Sequence, residues 1–97
     1  MARFDVYEAG GALFLDVQAD TLDVLESRVI IPLMAPSVAP KPGRRLNPAL
    51  MFDGQTYYLM TQYISAVAPG DMGRKCGALP EERDRIVAAL DMLFQGV

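Results

Sequence analysis

Apolar and polar residues alternate along the first third of the chain. In "RFDVYEA", Phe4 and Val6 fall on one side and Asp5 and Tyr7 on the other. After the pair Gly10-Gly11, "ALFLDVQA" places Leu13, Leu15 and Val17 on a common face. Two segments of period two around a Gly-Gly turn predict a β-hairpin. "DTLDVLES", residues 20–27, reads as a polar connection carrying Leu22, Val24 and Leu25. "RVIIPLMAP" is apolar on both faces, as a central strand is, and Pro32 marks a bulge, a bend or an edge because it has no N–H to donate.

The second half repeats the strand signal and then changes period. "SVAPKPGRRLNP", residues 37–48, is the longest loop. "ALMFDGQTYYLMT" predicts a second hairpin, with Asp53-Gly54 suited to the positive φ of a type I′ turn. "QYISAVAP" offers one more short strand, whereas "GDMGRKCGAL" reads as too glycine-rich for regular structure. From Pro80 onward Ile86, Leu90, Leu93 and Val97 recur at helical spacing, with Val87 and Phe94 widening the stripe. Pro80 suits a first turn, Glu81 and Glu82 favour the positive end of the helix dipole, and Gly96 is a natural terminator. This stripe predicts a terminal helix fastened to the sheet through to its end. The opposite face carries Asp84, Ala88, Asp91 and Gln95, which periodicity alone assigns to solvent. The expected architecture is a single domain, residues 1–97, mainly β with one C-terminal α-helix.

Composition adds an expectation about assembly. Hydrophobic residues make up 52% of a 97-residue chain, above the usual range of about 45–50%. A domain this small has little interior, so part of the surplus is expected on its surface, and a homodimer interface is the economical use of it. An ordinary core with scattered surface methionines and leucines accounts for the surplus nearly as well. The net charge of −3 argues against a nucleic-acid grip by the molecule as a whole. One cysteine, Cys76, excludes an internal disulfide and suits a reducing cytosol. With no signal-peptide pattern and no apolar run of membrane-spanning length, the chain is expected to be soluble and cytoplasmic.

The inventory of reactive groups is thin. No histidine is present, which removes the commonest general base and metal ligand and every Ser-His or Cys-His pair. "GRKCG" lacks the spacing of a phosphate-binding loop. Asp16, Asp20 and Asp23 read as turn and cap residues rather than metal ligands, with Asp16 expected on the solvent face of its strand. Lys41, Arg44 and Arg45 form a basic cluster without interleaved aromatic residues, which favours a solvated loop over a phosphate site. The expectation is a protein that binds and is not an enzyme, with no cofactor and no metal.

The ordered set "FDVY", "LFLDVQADTLD", "RVIIPL", "LNPALMFDGQTYYLMTQYISAV" and the closing "MLFQGV" resembles the CcdB family of toxins from bacterial toxin–antitoxin systems, along nearly the whole chain. The resemblance implies an antiparallel fold with an SH3-like barrel core of the CcdB/MazF toxin type, assembled as a homodimer. It implies a toxin that enters the dimerisation domain of the DNA gyrase A subunit and traps the DNA cleavage complex. It also implies neutralisation by a cognate CcdA-like antitoxin whose disordered segment wraps the toxin. Carried over by position, the gyrase-facing residues are Thr21 and Leu22 in the turn after the second strand, and Ala88, Asp91, Gln95, Gly96 and Val97 on and beyond the helix. The family's usual ending is Trp-Gly-Ile, so Gln95 is a departure, Val97 is a modest shortening and Gly96 agrees. Thr21 and Leu22 stand where the family has two isoleucines, and Asp91 where it often has asparagine. Two alternatives accompany this reading. One is a MazF-like mRNA endonuclease relying on arginines such as Arg28, Arg44 or Arg45, and the other is a homologue that has lost gyrase poisoning.

Overall fold

The computed structural model describes residues 1–97. Seven strands, β1 (Asp5–Ala9), β2 (Ala12–Asp16), β3 (Arg28–Met34), β4 (Ala49–Phe52), β5 (Gln55–Leu59), β6 (Ser65–Val67) and β7 (Arg74–Ala78), precede one helix, α1 (Arg83–Gln95). They form one sheet in the order β4-β5-β3-β2-β1-β7, with β6 also paired to β3. All of the pairings are antiparallel. The sheet curls into a half-barrel, and α1 lies against its concave core. No helix is long and apolar enough to cross a membrane.

Both predicted hairpins form. Gly10 and Gly11 have φ of 58° and 83°, and Asp53 and Gly54 have φ of 53° and 78°, so each turn uses residues that tolerate the left-handed region. β3 is the central strand, paired with β2 along one side and with two partners in succession along the other. Arg28–Ile30 pair with β6, while Leu33 and Met34 pair with β5. Pro32 falls where β3 changes partner, so its missing N–H leaves no ladder position unfilled on that side.

The face of the sheet carrying Val6, Leu15, Ile31 and Leu33 packs with Leu50, Leu59 and Leu79 into the main core. Ile86 and Ala89 of α1 are fully buried against it, with Val87 and Leu90 alongside. The anchoring ends there. Leu93 is half-buried, while Phe94 is 70% exposed and Val97 67% exposed, so the apolar stripe does not fasten the helix to its end as the periodicity suggested. The last turn of α1 lies beyond the main core, and Phe94 and Val97, which continue the stripe, are mostly exposed. Gly96, at φ 75°, closes the helix with its N–H donating to the Met92 carbonyl at 3.0 Å.

The opposite face of the sheet is covered as well, which corrects the reading of Asp16. Tyr7, Ile30 and Met72 form a second buried cluster there, and the 3-10 turn Pro69–Asp71 leads Met72 into it. Asp16 pairs across from Ile30 and is fully buried rather than solvent-facing. Arg28, also buried, donates from Nε and Nη2 to Asp16 Oδ2 at 2.9 and 2.7 Å. Asp16 therefore belongs to an internal ion pair, and Asp20 and Asp23 lie in the turn that follows rather than beside it.

The glycine-rich segment before the helix is also ordered. β7 pairs with β1 through a bulge, with Val6 opposite Gly77, Tyr7 opposite Lys75 and Cys76 the extra residue. Its glycines make the strand possible instead of preventing it. A Cβ on Gly77 would lie 2.5 Å from Cε1 of the Phe52 ring, so the absent side chain is the space that ring occupies. Gly77→Ala is expected to cost about 1–3 kcal/mol by overpacking, read as a lower urea midpoint with an unchanged slope.

Candidate binding surface

The residues singled out in the sequence lie on two elements, the 3-10 turn Asp20–Leu22 and the C-terminal half of α1. The turn is built from below. Gln18 is buried directly after β2, where its Oε1 accepts from the Val29 N–H at 3.1 Å and its Nε2 donates to the Leu22 carbonyl at 2.7 Å. Asp20 Oδ1 accepts from the backbone N–H of Arg3 at 2.8 Å, tying the turn to the N-terminal segment. Leu22 is thus held by hydrogen bonds to fixed neighbours while its side chain remains about half exposed. This support comes from Gln18, which the sequence reading did not single out. The one available signal was a polar residue at the end of a hydrophobic strand.

Leu22 and Leu25 meet Leu90 and Phe94 around a shallow apolar depression of about 350 Å³, with Val17, Val29 and Ile64 also lining it. Val24, 85% exposed, Phe94 and Val97 add apolar surface in the same two segments. Exposed aliphatic and aromatic groups gathered at one place on a small domain mark an association surface. Phe94 and Leu90, read in the sequence as part of the stripe that fastens the helix, are here the wall that faces the turn.

The seven carried-over residues do not form one patch. Leu22 lines the apolar depression. Thr21 lines a neighbouring concavity with Arg3, Asp20 and Arg83. Ala88 faces a third, with Arg44, Arg45, Pro48 and Arg85. Asp91 is half-buried, and its Oδ1 accepts from the Gln95 side-chain amide at 3.3 Å. Gln95, Gly96 and Val97 are all exposed at the end of the chain.

Titratable groups elsewhere are muted. Burial pushes the Cys76 thiol up despite nearby Arg74, and its Sγ lies 3.5 Å from the Val6 carbonyl oxygen, so it is a poor nucleophile. Burial likewise raises Tyr7, with the Asp5 and Asp16 carboxylates adding to the effect. Arg28, one of the arginines considered for RNA cleavage, is 1% exposed and committed to Asp16, whereas Arg44 and Arg45 are on the surface.

Solved structures of other proteins share this fold, two of them endoribonucleases. An endoribonuclease in complex with its cognate antitoxin from Mycobacterial species aligns with a TM-score of 0.76 and 17% identity, over 95% of this chain and 92% of its own. An endoribonuclease from Mycobacterial species aligns with a TM-score of 0.78 and 19% identity, over 95% of this chain and 88% of its own. These matches overturn the expectation that the chain is not an enzyme. Those two proteins carry an endoribonuclease activity on this fold. At the level of sequence, the family model described as CcdB protein matches residues 3–96, nearly the whole chain, and the protein belongs to the CcdB family.

Proposed function

We propose that the protein is the toxin of a toxin–antitoxin pair, that it binds the gyrase A subunit and traps the DNA cleavage complex, and that a cognate antitoxin neutralises it. The observation that carries this reading is the meeting of Leu22 with Leu90 and Phe94 beside an exposed chain end. Target contact runs through Leu22 and the terminal Gln95, Gly96 and Val97, with Thr21, Ala88 and Asp91 at its margin. Membership of the CcdB family supports gyrase as the target, and the half-exposed turn and helix end offer a surface for it. Apolar surface outside this depression supports a homodimer, since Val38, Met51 and Tyr63 are exposed and costly to leave in water.

The test is a gyrase cleavage assay with supercoiled plasmid and ATP, scored for linear DNA after denaturation. The wild-type protein is expected to raise linear product above the gyrase-only control. Val97→Asp and Leu22→Asp are expected to remove that product while leaving the unfolding free energy from urea denaturation within about 0.5 kcal/mol, because neither side chain belongs to the core. Absence of linear product with folded wild-type protein would exclude the gyrase reading.

A second reading, RNA cleavage, is favoured by the likeness to the two endoribonucleases. It moves the reacting surface to exposed arginines such as Arg44 and Arg45, because Arg28 is enclosed. Incubation of the same preparation with single-stranded RNA separates the two, since RNA cleavage is insensitive to Val97→Asp and lost in Arg44→Ala/Arg45→Ala.

A further inference from the structure

We propose that the cleft between the Arg44–Asn47 turn and the first half of α1 is a docking site for a carboxylate-rich peptide segment of a partner protein. Arg44, Arg45 and Arg85 line this cleft with Pro48 and Ala88, and no acidic residue does. The ion pairs of the molecule involve Arg28, Arg74, Lys75, Arg83 and Arg85, so the Arg44 and Arg45 guanidinium groups have no carboxylate partner. Arg85 Nη1 reaches both Glu82 carboxylate oxygens only at 3.5 Å and its side chain is 51% exposed, a pairing easily exchanged for a better one.

The two loop arginines are not on a slack segment. Asn47, 3% exposed, accepts from the Gly43 N–H through Oδ1 at 2.9 Å, and its own N–H donates to the Gly43 carbonyl at 2.8 Å. Its Nδ2 donates to the Leu59 carbonyl at 2.9 Å, fixing the turn to β5. The backbone that presents Arg44 and Arg45 is therefore set before any ligand arrives, which lowers the ordering cost of binding. Another basic concavity, around Arg3 and Arg83, includes Asp20 and so carries its own counter-charge.

Size and chemistry select the occupant. At about 190 Å³ the cleft takes one or two carboxylate side chains, and it is smaller than a typical small-molecule pocket. Guanidinium groups match carboxylates in bidentate geometry, while Pro48 and Ala88 give a neighbouring aliphatic group somewhere to rest. Nucleic acid is the poorer match. The chain carries a net charge of −3, and no aromatic residue lines the cleft to stack a base. The cleft shares only Ala88 with the proposed gyrase contact, so Arg44 and Arg45 test it separately from that reading.

Fluorescence anisotropy with the full-length protein tests it, using a short fluorescein-labelled peptide of Glu, Asp and Ala, its Gln, Asn and Ala counterpart, and single-stranded RNA of equal charge. The acidic peptide is expected to bind, its neutral counterpart not to bind, and the affinity to fall with salt. Arg44→Gln/Arg45→Gln is expected to weaken the peptide about tenfold or more, and Ala88→Glu to abolish binding by placing a carboxylate in the cleft. Arg83→Gln, an exposed cation outside the cleft, is expected to leave affinity within about twofold. Three outcomes would overturn the proposal: no peptide binding at low salt, an equal loss with Arg83→Gln, or RNA binding tighter than the peptide and dependent on Arg44 and Arg45. Circular dichroism of each variant separates lost binding from lost folding, and all but Ala88 among these positions are exposed.

Discussion

Arg28→Met is expected to lower stability by about 3–5 kcal/mol, the cost of leaving a buried charge without its partner. Asp16 is fully enclosed, and both of the Arg28 donors that reach it converge on one oxygen. Its other oxygen accepts from the Gln18 N–H at 3.0 Å, so removing the guanidinium leaves the carboxylate with a single hydrogen bond in an apolar setting. Against a total of roughly 5–15 kcal/mol for a small domain, that loss is a large share, and the urea midpoint should fall accordingly. Replacing both partners is a different experiment. Asp16→Leu/Arg28→Met buries no unpaired charge and also removes Arg28 Nη1, which has no hydrogen-bond partner. The double variant is expected to recover most of the stability, and a double variant as weak as Arg28→Met alone would show that the site's cost lies in packing rather than charge.

The same pair fixes a pH dependence. Burial holds the Asp16 carboxyl above its ordinary value of 3.8, with Arg28 opposing the shift only in part. The folded protein therefore holds this proton more tightly than the unfolded chain. The stabilisation that results is fully present below the ordinary value and fades as pH rises through the raised one. Surface carboxylates held by a cation behave in the opposite sense. Comparing Asp16→Asn with wild type across the acidic range isolates this contribution, because the amide cannot titrate.

How much of this was legible in the sequence follows from what each signal measures. Alternation identified β1, β2, β4 and β5 because one face of each meets the core, and Gly10-Gly11 and Asp53-Gly54 identified the turns because positive φ excludes most other residues. Alternation also sent Asp16 to solvent, since a period-two pattern records two faces and cannot tell that a second cluster of Tyr7, Ile30 and Met72 closes the far one. β7 was missed for a related reason. Glycine lowers strand propensity, but Gly77 answers to the Phe52 ring from a distant strand, a constraint with no local trace. Helical periodicity located α1 and its glycine stop, yet it could not say where the sheet beneath it ends, so Phe94 and Val97 were assigned to the core side. For the binding surface, order and spacing pointed to Leu22 and the chain end. The separation of Ala88 and Thr21 into other concavities depends on helix rotation and loop path, which only the folded chain supplies.

On the proposed gyrase reading, Gln95→Trp is expected to tighten binding to the gyrase A subunit by about thirty- to a thousandfold, the worth of a hot-spot aromatic of ~2–4 kcal/mol. Gln95 lies fully on the surface, and its one side-chain hydrogen bond, to Asp91 at 3.3 Å, is an exposed contact with little to lose. A tryptophan there adds a large rigid surface next to Phe94, itself already presented to solvent. The indole meets no core group on the way, so the unfolding free energy should stay within about 0.5 kcal/mol of wild type. That separation between unchanged folding and changed binding is what makes the variant informative. Titration of labelled gyrase A dimerisation domain with both proteins gives the ratio of dissociation constants directly. Gln95→Ala supplies the reference, because a glutamine that contributes little should be lost without consequence. A large loss in Gln95→Ala together with no gain in Gln95→Trp would mean that the partner's surface is matched to an amide at this position, and the aromatic-anchor argument would fail even if gyrase is the target.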